Sequence, residues 1–351
     1  MAKSKKRGRT PDFHLNRPGK LIAALPAVLG FVPEKSLVLV TVDHGEMGCV
    51  MRVDLCDDLT DKLDHLAEVA SAAAPDSAIA VVVDETGAGC RCCNDRYRDL
   101  SEDLAAALAE YGIELLAAHI VDRIAAGGRW HCADGCGMSG TIEDPSASPL
   151  AAAAVLDGRR LYAQRAELAR VVEVADPEHS AALAPLIEAG GDPAARPDRA
   201  ARDDIEAAIG AAAQLADGAS LDDALLARLG GALRDVRVRD TLYALAVGES
   251  AGQAEDLWAL LARTLPDPWR VEALSLLAFS AYARGDGPLA GVALDAALRG
   301  DPTHRMSGML DTALQSGLRP EKIRGLATTG YRLADTLGVR LPPRRAFGKA
   351  G

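Results

Sequence analysis

Aromatic side chains are scarce in this sequence: Phe, Trp and Tyr together make up 4% of its 351 residues. That scarcity argues against a stacking surface for single-stranded nucleic acid. Apolar residues nevertheless reach 49% and charged residues 25%, which is typical of a globular chain and excludes a disordered or fibrous one. The length is too great for one small core and predicts two domains.

Long apolar runs are also missing. The most apolar stretch, residues 21–42, is interrupted by Pro26, Pro33, Glu34 and Lys35, whereas a membrane span needs about 20 mainly apolar residues. No apolar core follows the basic N-terminus directly, so a secretory signal is not predicted. We therefore expect no membrane span and a cytoplasmic location.

Positive charge is in deficit, because 39 Lys and Arg face 50 Asp and Glu and give a net charge of −11. Residues 1–16 depart from this balance and are predicted to form a disordered basic arm. A tether to nucleic acid or anionic lipid is the alternative interpretation. Since the rest of the chain is acidic, any contact with nucleic acid is expected through the arm alone. The basic residues of the arm are Lys3, Lys5, Lys6, Arg7 and Arg9.

The pattern over residues 17–175 predicts an α/β domain with a mixed sheet. Runs rich in Val and Ile, typical of buried strands, alternate with stretches of helical spacing. Two further segments return as short antiparallel partners. The predicted strands cover residues 36–43, 49–55, 78–83, 113–121 and 129–132.

Strand signals stop after residue 176. Residues 176–197, rich in Gly and Pro near their end, are predicted to be a linker, residues 198–340 an all-α domain of helical hairpins, and residues 341–351 a tail. Small and apolar residues over 269–302 fall where a tetratricopeptide-type helix pair requires them. The helical domain is therefore predicted to be tetratricopeptide-like in part, with an irregular bundle as the alternative.

The seven cysteines are an odd number, which argues against a structural disulfide framework in a cytoplasmic chain. Five of them form two groups, each in the loop after a predicted strand, and His131 adjoins the second group. Thiolates beside an imidazole suit tetrahedral zinc, although the spacings are not those of a zinc ribbon. No cofactor is predicted, and zinc, thiol chemistry and ordinary thiols remain open. The five candidate metal ligands are Cys90, Cys92, Cys93, Cys132 and Cys136.

Established catalytic motifs are absent: there is no Walker loop, no G-x-S-x-G elbow and no H-E-x-x-H helix. The best candidates for a small-ligand site are Asp84 and Glu85 at the end of a predicted strand, with Trp130 and His131 on a later one. Carboxylates at strand ends also serve as turn-capping groups, which is the alternative. His119 lies inside an apolar run and is expected to be a packed core residue.

Trp258 and Trp269 flank the junction before the repeat-like helix pair. Large aromatic side chains near an exposed surface are common interface anchors. Both tryptophans are therefore candidate contacts for a protein partner. The alternative is that they fill the core of an Ala-rich domain.

The segment over residues 21–55 resembles the opening of an actinobacterial family, domain of unknown function 4192. Further matching residues extend the resemblance over most of the chain, although family members often carry Cys-Cys-Pro where residues 136–140 keep one Cys and no Pro. The family's activity is unassigned, so the resemblance implies no activity. The residues that carry it are Pro26, Leu29, Gly30, Phe31, Pro33, Ser36, Leu37, Val38, Arg52, Val53, Asp54, Leu55, Arg129, Trp130, Cys132, Cys136, Gly140, Gly158, Arg159, Arg165, Ala166, Glu167 and Leu168.

Two functions from different classes remain open. The leading hypothesis is a non-enzymatic cytoplasmic scaffold whose helical domain docks a protein partner, because stacked hairpins leave a concave surface open. The alternative is an enzyme or small-ligand sensor with its site at the strand-end loops of the α/β domain. Convergence of the two Cys loops on one closed pocket would favour the alternative.

Overall fold

A computed structural model describes residues 17–72, 74–156, 161–192 and 195–345 of the chain. These residues form two compact units that divide between Arg165 and Ala166, earlier than the boundary expected from the sequence. The predicted basic arm (residues 1–16) and the end of the predicted tail (residues 346–351) lie outside the described residues.

The first unit contains a six-stranded mixed sheet with the strand order β2-β1-β3-β4-β5-β6. Strands β3 and β4 pair in parallel, and all other neighbours pair antiparallel. The mixed sheet predicted from the sequence is confirmed. The strands are β1 (Ser36–Asp43), β2 (Glu46–Asp54), β3 (Ser77–Val83), β4 (Glu114–Val121), β5 (Arg129–Cys132) and β6 (Ser139–Thr141).

Helices cover both faces of the central strands, and for this reason β1 and β3 are apolar without alternation. On one face, Leu39 of β1 and Ala80 of β3 share an apolar cluster with Leu104. The intervening residues, such as Val38 and Val81, point to the other face and are also buried. The helices of this unit are α1 (Pro18–Leu29), α2 (Leu63–Ser71), α3 (Arg91–Glu110) and α4 (Pro149–Leu156).

The second unit is helical, and its described residues contain no regular strand. A short helix, α5 (Arg165–Ala169), lies at the division between the units. The all-α character predicted from the sequence is therefore confirmed. The helices that follow are α6 (Pro177–Glu188), α7 (Asp198–Ala216), α8 (Asp223–Ala232), α9 (Val236–Leu242), α10 (Ala251–Thr264), α11 (Arg270–Arg284), α12 (Gly287–Gly300), α13 (Arg305–Gln315) and α14 (Pro320–Leu337).

Helix α6 occupies most of the segment predicted to be a linker. The Asp176 side chain accepts hydrogen bonds from the backbone N–H groups of Glu178 and His179, both at 3.0 Å. Pro177 stands at the first helical position, and Leu183 and Ile187 are buried. An N-cap followed by Pro is a helix-start signal, so the Gly- and Pro-rich composition of the following residues was misleading.

The repeat-like segment forms the predicted helix pair, α11 and α12. Gly285 ends α11 in the left-handed region at φ 90°, and the Asp286 side chain caps α12 at the backbone N–H of Leu289 (3.1 Å). Twelve of the fifteen residues of α11 are buried, so this helix is surrounded by its neighbours. Burial on all sides is typical of the central helix of a bundle, and the likeness to tetratricopeptide repeats stays a prediction.

Candidate functional site

Asp84 follows β3 and is 8% exposed. Its Oδ1 accepts hydrogen bonds from the backbone N–H (3.1 Å) and hydroxyl (3.0 Å) of Thr86, while the Tyr97 hydroxyl of α3 donates to Oδ2. A Cβ on Gly87 would collide with this carboxylate and lie 2.5 Å from the Tyr97 oxygen. The carboxylate of Asp84 therefore organises the turn between β3 and α3.

The electrostatics of Asp84 support this structural role. Burial opposes its ionisation, but hydrogen bonds from Tyr97, Thr86 and the backbone of Gly87 outweigh burial and hold the pKa of Asp84 below its usual value. Burial and the neighbouring carboxylate raise the pKa of Tyr97. Glu85, the other carboxylate predicted here, is exposed.

The α3 thiol cluster, which we define as Cys90, Cys92 and Cys93, lies where this turn enters the helix. The three Sγ atoms all lie within 4.8 Å of one another, and those of Cys90 and Cys92 are 2.9 Å apart. Cys90 occupies the N-cap position of α3, a helix of 20 residues. The exposed backbone N–H groups at such an end favour negative charge on a thiol.

Hydrogen bonding within the α3 thiol cluster separates the acidities of its members. The Cys92 thiol and the backbone N–H of Cys93 stabilise the Cys90 thiolate and lower the pKa of Cys90 to about 7. A side-chain hydrogen bond between Cys93 and Cys90, together with burial, raises the pKa of Cys93 to about 11. The side-chain oxygen of Asn94, the residue after Cys93, is buried and has no hydrogen-bond partner among the described residues.

The β5 loop cluster, which we define as Cys132, Asp134 and Cys136, follows the fifth strand. One donor atom from each residue lies within 4.8 Å of the other two. The Asp134 carboxylate accepts a hydrogen bond from the backbone N–H of Cys136 at 3.0 Å. Burial and the Cys136 thiol raise the pKa of Cys132 to about 12.

His119 of β4 is the imidazole that reaches the β5 loop cluster. Its Nδ1 lies 3.7 Å from Cys132 Sγ, and its ring stands edge-on to Trp130 at 5.1 Å. The side chain is 3% exposed, as predicted for a core residue, and burial lowers its pKa to about 4. His119 is therefore a neutral imidazole at pH 7, the form that binds metals.

Sequence reasoning chose His131 for this position because it adjoins Cys132 in the chain. Adjacent residues of a strand point to opposite faces, so His131 and Cys132 diverge. The β4–β5 register pairs Cys132 with His119 instead. The alternation of β4 indicates which residues share a face of the sheet with His119. Only the register between β4 and β5 shows that His119 lies opposite Cys132.

The two thiol clusters do not converge on one pocket. Cys93 packs against the apolar cluster that contains Leu104 of α3. Cys132 pairs with His119, which itself pairs with Val81, on the other face of the sheet. The sheet therefore separates Cys132 from Cys93, and the five predicted metal ligands form two groups rather than one.

The four predicted small-ligand residues also fail to form one site. Asp84 faces Tyr97 of α3. Trp130 is 7% exposed and faces α1, where a Cβ on Gly19 would lie 3.3 Å from its Nε1. His131 is half-buried on the face opposite Trp130, and burial lowers its pKa.

Of the two candidate interface tryptophans, Trp258 has no exposed surface and belongs to the core of the helical unit. It is not an interface anchor, because its ring supplies bulk among the small residues of α10 and its neighbours. Trp269 is half-buried just before α11. Of the two, Trp269 therefore remains the candidate contact for a protein partner.

The helical unit carries a cleft of about 310 Å³ between the segment after α5 and the helix pair. Its charged lining comprises Glu173, Asp267, Arg270 and Arg299. Arg270 donates hydrogen bonds to the carbonyl oxygens of Val172 (2.6 Å) and Ala262 (3.1 Å). Arg299 is exposed and makes no ion pair with any described residue.

A mixed six-stranded α/β unit with two thiol clusters, followed by a helical unit, defines the class of protein. The chain belongs to the family described as Domain of unknown function (DUF4192), whose model matches residues 18–321. This match confirms the resemblance found in the sequence. No curated protein and no solved structure matches the chain. None of the described helices combines the length and apolar character that crossing a membrane requires.

Proposed function

We propose that this protein binds a thiophilic metal ion through the α3 thiol cluster. The observation that carries the proposal is the placement of three Sγ atoms within 4.8 Å of one another on one helix turn. Thiolate sets of this kind select Zn²⁺ or Cu(I) over hard cations. The N-terminus of α3 favours the negative charge that such ligands carry.

Zn²⁺ is the ion that we propose for the cluster. Cys90, Cys92 and Cys93 supply three ligands, and Cys92 is exposed, so a fourth tetrahedral position is open to water or a small ligand. Three protein ligands with one open position are typical of catalytic zinc sites, whereas structural zinc sites are closed by four protein ligands. This arrangement fits the alternative weighed from the sequence, an enzyme or small-ligand sensor, with one Cys loop as its site in place of two convergent loops.

Metal analysis of the purified, reduced protein tests the proposal. The variant with Cys90, Cys92 and Cys93 all replaced by Ser is expected to lose one equivalent of zinc. Cys56→Ser, which removes an exposed thiol outside the cluster, serves as the matched control. Cobalt substitution gives a second readout, because the thiolate-to-cobalt charge-transfer absorption should decrease in the triple variant and stay unchanged in the control. Equal zinc content in the triple variant and the control would refute this function.

We also propose that the protein acts in the cytoplasm. All seven cysteines are free, and thiolate ligands require reduced cysteines, which the cytoplasm maintains.

Partner docking by the helical unit is the second candidate function, and the cleft supports it. Two arginines and two carboxylates line the cleft, so we propose a protein segment of mixed charge as its occupant. Arg299 would bind an acidic side chain of that segment, and Trp269 stands near the start of the same helix pair.

A photo-crosslinker placed beside Arg299 tests the docking proposal. The crosslinked segment should contain acidic and basic side chains and should bind the purified protein in isolation. Arg299→Glu should weaken that binding at least about 10-fold, since it places a glutamate opposite an acidic side chain and like charges across an interface repel. Arg305→Glu, an exposed arginine outside the cleft lining, is the control. Unchanged binding by Arg299→Glu would reject the cleft as the docking site.

A further inference from the structure

We infer that the α/β unit contains a second metal site, formed by His119, Cys132 and Cys136 with Asp134 as the fourth donor, and that this site takes Zn²⁺. Its His119 and Cys132 point to the other face of the sheet from Cys93, and it shares no residue with the α3 thiol cluster. The inference therefore stands or falls independently of the proposed function.

The spacing of the donors fits one tetrahedral ion. With Zn–S bonds of about 2.3 Å and Zn–N bonds of about 2.0 Å, a sulfur and a nitrogen on the same ion lie about 3.5 Å apart. Nδ1 of His119 and Sγ of Cys132 are 3.7 Å apart. The donor atoms of Cys132, Asp134 and Cys136 lie within 4.8 Å of one another. His119 joins this group through its contact with Cys132, so side-chain movement is needed to bring all four donors to one ion.

His119 brings a buried imidazole to the Cys132 thiol. A buried imidazole ordinarily donates or accepts well-formed hydrogen bonds. The His119 ring is 3% exposed, and its hydrogen-bonding contact among the described residues is the long one to Cys132 Sγ. A nitrogen and a sulfur at this separation can bind the same metal ion.

The loop after β5 is shaped to return Cys136 towards Cys132. Gly135 and Gly137 adopt left-handed conformations with φ of 73° and 85°, which glycine accepts without strain. The backbone N–H of Cys136 bonds the Asp134 carboxylate. This arrangement leaves Asp134 with acceptor capacity for a metal, since a carboxylate has about four lone-pair sites.

The chemistry of this donor set differs from that of the α3 thiol cluster. One imidazole, two thiolates and one carboxylate are all ordinary zinc ligands, and four of them form a closed site. Strand β5 pairs with β4 through three residues and β6 has three residues, so this edge has few ladder bonds of its own. A zinc ion would link β4 to the loop and hold the edge of the sheet.

Zinc titration of the full-length, reduced apoprotein tests the inference by competition with a chromogenic chelator. The wild type is expected to bind two equivalents. The triple Ser variant of the α3 thiol cluster should retain one. Cys136→Ser, a change at an exposed residue, should weaken the remaining site more than about 100-fold, the upper limit for loss of an outer-sphere partner. Cys56→Ser should leave both sites unchanged.

His119→Gln and NMR of the histidine rings complete the test. Zinc should shift the ¹⁵N resonance of His119 Nδ1 in the triple variant and leave that of His131 in place. If His119→Gln does not fold, Cys136→Ser and the NMR shift decide. A triple variant that binds no zinc, or one in which Cys136→Ser has no effect on affinity, would overturn the second site. A wild type that loses zinc through Cys136→Ser but not through the triple replacement would refute the proposed function and support this inference.

Discussion

At the scale of single residues, the turn after β3 shows how one carboxylate can be used entirely for structure. Asp84 accepts from Thr86 and Tyr97, and Gly87 leaves the space that this contact needs. The sequence placed Asp84 correctly at a strand end. It could not show that α3 would bring Tyr97 to the carboxylate, because that contact spans the whole turn.

Gly87→Ala should destabilise the protein by about 1–3 kcal/mol, the usual cost of overpacking a filled site. The added methyl group would collide with the Asp84 carboxylate and the Tyr97 hydroxyl. Gly89→Ala is the matched control, because nothing lies within 4 Å of its Cβ position. Urea denaturation measures both variants, and equal stabilities would contradict the close approach at Gly87.

Tyr97→Phe should cost about 1–3 kcal/mol at pH 7, because it removes a donor from a buried carboxylate. The pKa of Asp84 is lowered in the folded protein, so its contribution to stability is present above the unfolded value of about 3.9 and is lost as pH falls through the folded value. The difference between wild type and Tyr97→Phe should therefore shrink below about pH 4. Denaturation curves between pH 7 and pH 3 measure this difference in the free energy of unfolding. A difference that does not change with pH would exclude the contact between Tyr97 and Asp84 as the source of the lost stability.

At the scale of secondary-structure elements, signals of one or two residues predicted helix ends better than the composition of a longer segment did. Gly285 is a local signal for the break between the two helices of the repeat-like pair, and it lies there in the left-handed region at φ 90°. Asp176-Pro177 was an equally local signal for α6, but the composition after it led to the linker prediction. Helix starts depend on one or two residues, whereas composition averages over many.

Gly285→Ala should destabilise the helical unit by about 1 kcal/mol, because alanine is strained in the left-handed conformation that glycine adopts freely. Its Cβ position is uncrowded, with the nearest atom 4.0 Å away, so the effect isolates the backbone. Gly325→Ala, in the exposed interior of α14 with no atom within 4 Å, should instead stabilise by about 0.5–1 kcal/mol. Thermal unfolding of both variants compares the two. The same sign for both would disprove the conformational argument.

At the scale of the whole molecule, charge is distributed unevenly along the chain. The net charge is −11 although the first nine residues include five basic ones. A phosphate backbone is attracted by the arm and repelled by the remainder. The arm lies outside the described residues, so its conformation and its binding stay predictions.

Deleting residues 1–16 should abolish any binding of nucleic acid by the full-length protein. Fluorescence anisotropy with duplex DNA at 50 and 200 mM salt measures binding and its salt dependence, which reports phosphate contacts. Replacing the five basic residues of the arm with Gln keeps its length and serves as the matched comparison. Affinity that survives both changes would place the contact elsewhere in the chain.

The sequence by itself determined which segments are strands and which are helices in most of this protein. Continuous apolar runs such as that of β3 have few alternatives, and helix caps such as Asp286 act within a few residues. The tertiary structure decided which chemistry-bearing side chains meet. His119 reaches Cys132 through the register of β4 on β5, and the same sheet separates Cys132 from Cys93. Burial of Trp258 likewise depends on which helices surround α10. Such contacts join residues far apart in the chain, and their formation depends on packing that no local pattern records.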